Sequence, residues 1–154
     1  MPGMDDDLWT AYLRTQVRVE LPDGGEALLA QADDGCHGEW PFPGTDHAWI
    51  ITACNPRSVE LTEQENRSRH EALGRQLLQL DATAFETTGF DPADSGWHEP
   101  GYVVPALPDA EADRLARAWE QNALFRWEPG RFSLVGVLMP GDAHHGWTLS
   151  RLPG

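Results

Sequence analysis

The sequence predicts an α/β (α+β) domain built as a ferredoxin-like split β-α-β two-layer sheet, with an added C-terminal hairpin and an N-terminal helix-hairpin extension. Three observations predict it. Ala48 to Ala53 is almost continuously apolar, the pattern of a strand covered on both faces. From that strand onward the patterns read strand, helix, strand, strand, helix, strand, which is the order of a split β-α-β layer. Finally, Ala123 to Trp127 and Phe132 to Leu138 flank the turn Glu128-Pro-Gly130 as a hairpin.

In chain order, Leu8, Trp9, Tyr12 and Leu13 have helical spacing, with Asp7 placed to cap them. Val17 to Leu21 alternates, Pro22-Asp-Gly-Gly25 turns, and Glu26 to Ala30 returns as a hairpin partner. Residues 31–47 show no period and carry Trp40 and Phe42 between prolines, a long loop of the kind that often contacts a partner. Asn55-Pro56 ends the first central strand, because proline restricts its predecessor and cannot donate to a ladder.

Thr62-x-x-Glu65 is a capping box, and the helix it opens runs to about Leu80 with Leu73, Leu77 and Leu80 buried. Ala82 to Thr88 is a second strand, Phe90 to Gly96 a turn-rich connection, and Tyr102 to Ala106 a third strand. Asp109 caps a second helix with Ala112, Leu115, Ala116 and Trp119 on its apolar stripe. Gly146 to Ser150 is a candidate edge strand. The expected organisation is one domain over 1–154: an extension at 8–30, a loop at 31–47, a core at 48–138 and a tail at 139–154.

The chain has 154 residues, enough for a single core without metal or disulfide staples. It holds 25 acidic against 11 basic residues, a net charge of -14, and every basic residue is arginine. Such a field repels phosphate backbones, so no nucleic-acid partner is expected. Absence of lysine excludes Schiff-base chemistry and a P-loop lysine. No apolar run is long enough for a membrane span, so no membrane partner is expected. The opening Met1 to Asp7 is acidic and lacks an apolar stretch, and the two cysteines, Cys36 and Cys54, make no framework. A cytoplasmic location is the expectation.

Ile50-Ile-Thr-Ala-Cys-Asn-Pro56, Glu65-Asn66, His98-Glu-Pro100 and Gln121-Asn-Ala-Leu-Phe125 together resemble the DUF3293 family. The resemblance covers roughly Ala48 to Val135, and more loosely Leu8 to Leu13. It implies a residue set but neither a substrate nor a reaction. Where this chain has Cys54, the family usually has tryptophan, so a site built on that ring is altered here.

Read from the residues, Asn55 lies at a strand exit, Asn66 near a helix start, His98 and Glu99 before a strand, and Gln121 and Asn122 at a helix-to-strand junction. Amide side chains both donate and accept, which suits recognition of a polar ligand. His98 and Glu99 are the proton-transfer candidates. In the expected sheet these motifs share one end. The same side chains also suit structural capping of loops and elements.

The cysteines and histidines (Cys36, His37, His47, Cys54, His98, His144, His145) follow no compact metal-ligand spacing. Neither metal nor cofactor is expected. Trp40, Trp97 and Trp147 lie near loops and suit either a groove wall or plain packing. The reading is a small domain binding a small polar molecule. The alternatives are a protein-interaction module contacting a partner through residues 31–47, and a hydrolase or transferase using His98 and Glu99 as acid and base.

Overall fold

The computed structural model describes residues 4–153. Among these residues, three α-helices, α1 (Met4–Arg14), α2 (Glu63–Gln79) and α3 (Asp109–Ala118), and a short 3-10 turn at Pro56–Ser58 accompany nine strands. These are β1 (Gln16–Glu20), β2 (Glu26–Ala32), β3 (Cys36–His37), β4 (Ala48–Ile51), β5 (Phe85–Asp91), β6 (Asp94–Pro105), β7 (Ala123–Glu128), β8 (Arg131–Gly136) and β9 (Asp142–Arg151). The reading of the opening segment falls partly outside the described residues.

The strands run β2-β1-β5-β6-β4-β7-β8-β9, and β2 also pairs with β9 from Ala27↔Arg151 to Ala32↔Gly146. That pairing closes an eight-stranded barrel flanked by helices. The ferredoxin-like two-layer sheet is therefore wrong. Such a sheet has two free edges, whereas here each edge is extended by a hairpin and the two hairpins find each other. The ladder that decides between the architectures joins opposite ends of the chain, where no local pattern records it.

Alternation sorts the side chains into two cores. Val17, Val19, Leu29, Ile50, Val103, Phe125, Trp127, Phe132, Leu134 and Trp147 fill the barrel. Trp49, Ile51, Val104 and Leu124 face outward and pack against Leu73 and Leu77 of α2 and Ala112, Leu115 and Ala116 of α3. Residues 31–47 send Phe42 and Trp40 into one end of the barrel, edge-on to Trp127 at centroid distances of 5.6 and 5.1 Å. Phe42 also stacks on Phe85. Helix α1 lies across the other end, with Tyr12 edge-on to Phe125 and Gln31 Nε2 donating to the Tyr12 carbonyl.

Other expectations change with the barrel. β9 is paired on both sides, by β8 and β2, and is no edge strand. The 90–96 connection is mostly strand, with a register shift between Phe90 and Asp91. The Thr62/Glu65 capping box forms with both bonds present. Leu80, however, is 41% exposed because the helix ends before it. Asp7 lies inside α1 rather than capping it. The Asp109 carboxylate accepts from Trp49 Nε1 and Arg126 Nε instead of capping α3.

Candidate active site at the barrel mouth

Beneath α1 the barrel is not filled. The inward positions of β5 and β6 there are Thr87, Gly89, Glu99 and Gly101, paired as Thr87↔Gly101 and Gly89↔Glu99. Two glycines in a row of four leave a void of about 370 Å³. Gly101 is required by its surroundings, since a Cβ there would lie 2.7 Å from the Ile51 carbonyl oxygen. Leu8, Val17, Ile50, Trp97 and Phe125 make most of the wall apolar. Its polar lining includes Tyr12, Thr52, Ser58 and Glu99, with charged groups such as Arg14 and Asp91 also present.

Glu99 is held from the turn that follows β4. Asn55 Nδ2 donates to Glu99 Oε2 at 3.0 Å. Burial pushes the Glu99 carboxyl up to about 7, against the lowering effect of hydrogen bonds from Asn55 and Thr52. The Thr52 hydroxyl has one proton and also faces the Pro100 carbonyl at 2.8 Å, so the two acceptors compete for it. Across the void, burial raises the Tyr12 phenol, which is hydrogen-bonded to Ser58 and feels the Glu99 charge.

The turn itself is strained. Asn55, Arg57 and Ser58 have φ of 47°, 53° and 60°, a left-handed region that L residues avoid at a cost of roughly 1 kcal/mol or more each. It persists because its backbone is tied from several elements. Arg57 N–H donates to the Glu120 carbonyl at 2.7 Å, and Asn55 N–H to Asn66 Oδ1 at 3.0 Å. Asn55 Oδ1 in turn accepts from Leu61 N–H and from Asn66 Nδ2.

The structure brings Asn55, Asn66, Glu99, Gln121 and Asn122 to this one end and leaves His98 out. Asn66 locks the turn. Gln121, 4% exposed, donates Nε2 to the Cys54 and Trp119 carbonyls. Asn122 Nδ2 donates to Ser58 Oγ at 2.9 Å. These amides mostly bond protein atoms, so they frame the void rather than reach into it. His98 neighbours Glu99 on a strand and so points to the outer face. It is exposed there, beside a different depression.

The chain matches the DUF3293 family model over residues 51–124. That family is described as a protein of unknown function. The DUF3293 stretch runs from the last residue of β4 into β7, and it holds Glu99 with Asn55, Thr52 and Ser58. It leaves out α1, and with it Tyr12. No curated protein and no solved structure matches the chain.

Sequence reasoning missed Tyr12, Thr52, Ser58 and Arg14. Their only signal was adjacency to the recognised motifs, and α1 reaches the site through a fold that local patterns do not encode. Arg14 donates Nε and Nη2 to Asp91, holding that carboxyl below the usual range and fastening α1 to β5. Cys54 is 1% exposed and its thiol is pushed up to about 11, chiefly by burial, so it is a packing group. Trp97 walls the void, whereas Trp147 is core and Trp40 packs against it. Among the described residues, no group of three or more His, Cys, Asp or Glu side chains is placed to hold a metal ion. Among them, too, no helix is long and apolar enough to cross a membrane.

Proposed function

We propose that the barrel mouth binds a small molecule with an apolar body and a neutral or cationic hydrogen-bond donor, which it presents to Glu99. The observation that carries this reading is a carboxyl set in a mostly apolar void, oriented by Asn55 on one side and left facing the cavity. A volume of about 370 Å³ falls at the lower end of the range for small-molecule pockets. Charge narrows the ligand class further. The lining carries Glu60, Asp91, Asp94 and Glu99 against Arg14, whose guanidinium is already bonded to Asp91. An anionic ligand would meet repulsion and no free cation.

Ligand-observed NMR with a fragment set divided into amines, neutral alcohols and amides, and carboxylates tests the proposal. Amines or neutral donors should bind, and Glu99→Gln should weaken them about tenfold, the worth of one charge-assisted hydrogen bond. Binding confined to carboxylates, or unchanged in E99Q, would defeat it.

A second reading rests on the Glu99 carboxyl lying near neutrality, where a group exchanges protons most effectively. Here Glu99 serves as general acid or base on the bound molecule, with Tyr12 across the void from it. His98 has no part, since it faces the outer surface. Turnover with a pH break near the Glu99 value, lost in E99Q, separates this hydrolase or transferase reading from binding alone.

A further inference from the structure

The void has a neighbour at the barrel rim. Beside Trp97 it meets a larger depression of about 650 Å³ on the outer face of β1, β5 and β6, bounded by the first turns of α2. Asn55, Glu60, Thr87 and Trp97 line both, so the two adjoin along that wall. Their chemistry differs. The inner void is apolar with a carboxyl in its wall, whereas the outer groove is polar and acidic. Glu20, Glu26, Glu60, Glu63 and Glu86 face it against Arg18 and Arg67; Glu63 pairs with Arg67 at 3.5 Å and Glu86 with His70 Nε2 at 2.9 Å, which leaves Glu20, Glu26 and Glu60 as the surplus.

One pairing in that groove is costly for folding. Glu20 and Glu26 are direct cross-strand partners at the end of the β1–β2 ladder. Like charges so placed destabilise a sheet. A cation laid between them would remove the cost. Together, a mostly apolar void with an acidic wall and an adjoining open acidic trench fit a chain that inserts a side chain and must carry its backbone away.

We infer that this composite surface recognises an exposed basic peptide segment: one lysine or arginine side chain enters the void toward Glu99, and basic flanking residues lie along the outer groove. The inserted side chain has the required form, an aliphatic stem for Ile50 and Phe125 and a donor tip for the carboxyl. The inference rests on the proposed ligand class for the inner void and extends it to a polymeric partner. Charge complementarity supplies the orientation and steers the encounter.

Fluorescence anisotropy of the full chain with labelled short peptides tests it, beside butylamine titrated by NMR as a probe of the void alone. Peptides with a central lysine carry arginine, glycine or glutamate flanks. The arginine-flanked peptide should bind best and weaken with added salt. Glu20→Gln/Glu26→Gln/Glu86→Gln should weaken it about fivefold or more while leaving butylamine unchanged. Glu99→Gln should weaken both. If butylamine binds but the arginine-flanked peptide binds no better than the glycine- or glutamate-flanked one, the peptide inference is overturned and the ligand reading stands. Unchanged peptide affinity in the triple variant would overturn it in the same way. If neither butylamine nor any peptide binds, both readings fall together.

Discussion

Asn55 donates a 3.0 Å hydrogen bond to Glu99, while its Oδ1 is already engaged by Leu61 N–H and Asn66 Nδ2. One amide therefore couples a strained turn to a half-buried carboxyl in the void wall. Asn55→Asp removes the donor and adds a like charge, so the Glu99 titration should move above its value of about 7. Asn66→Ala orphans the Asn55 backbone N–H and should cost about 1–3 kcal/mol, with a much smaller change in that titration. Side-chain carboxyl NMR and chemical denaturation measure the two effects separately. Equal titration shifts in both variants would contradict the coupling.

Glu99 makes stability depend on pH in a stated direction. Its proton is retained in the folded chain up to about 7, against 4.5 in the unfolded one. The proton-linked stabilisation is complete below 4.5 and is lost as pH rises through that window. In thermal melts, E99Q should therefore gain on wild type between these pH values, by up to about 3 kcal/mol. A constant difference across the window would refute the assignment.

Asp91 has the opposite sign. Its pKa is depressed, foremost by the hydrogen bond from Arg14, so the tie between α1 and β5 holds above the ordinary aspartate range. It weakens as pH falls through the lowered value. Arg14→Ala should speed amide hydrogen exchange in α1 and leave exchange in α2 and α3 unchanged. Slower or unaltered exchange in α1 would show that other contacts hold it.

Leu77 and Leu80 test the helix boundary. Leu77 is 1% exposed and Leu80 41%. Leu77→Ala should cost about 2–5 kcal/mol by opening a cavity, and Leu80→Ala only about 0.5 kcal/mol. Urea denaturation distinguishes them, and comparable losses would place Leu80 in the core after all.

Gly101 tests why the void exists. A Cβ there would sit 2.7 Å from the Ile51 carbonyl and 3.2 Å from Thr87 Oγ1, between two strands that both pair with β6. Gly101→Ala should destabilise by about 1–3 kcal/mol through overpacking. A neutral result in the same denaturation assay would mean that the strands separate freely.

Much of the element list was legible because it is local. The capping box needs only Thr62 and Glu65, and the β7–β8 hairpin needs only the turn at 128–130 between apolar runs. The motifs at 55, 66, 98–99 and 121–122 could be picked out for the same reason, as polar residues read at strand and helix ends. Their detailed roles were not legible. Whether Asn66 faces solvent or locks a turn depends on the backbone of Asn55, and whether His98 or Glu99 faces the void depends on the phase of β6.

By itself, the sequence determined many of the strand and helix segments and an acidic all-arginine charge balance. Only the tertiary structure decided that the sheet closes, through the β2–β9 ladder, and that α1 brings Tyr12 over a glycine-lined void with Glu99 in its wall. The physical reason is one of range. Capping, turn chemistry and side-chain period act over a few residues, whereas closure and cavity shape come from packing between segments that are neighbours only in the folded chain.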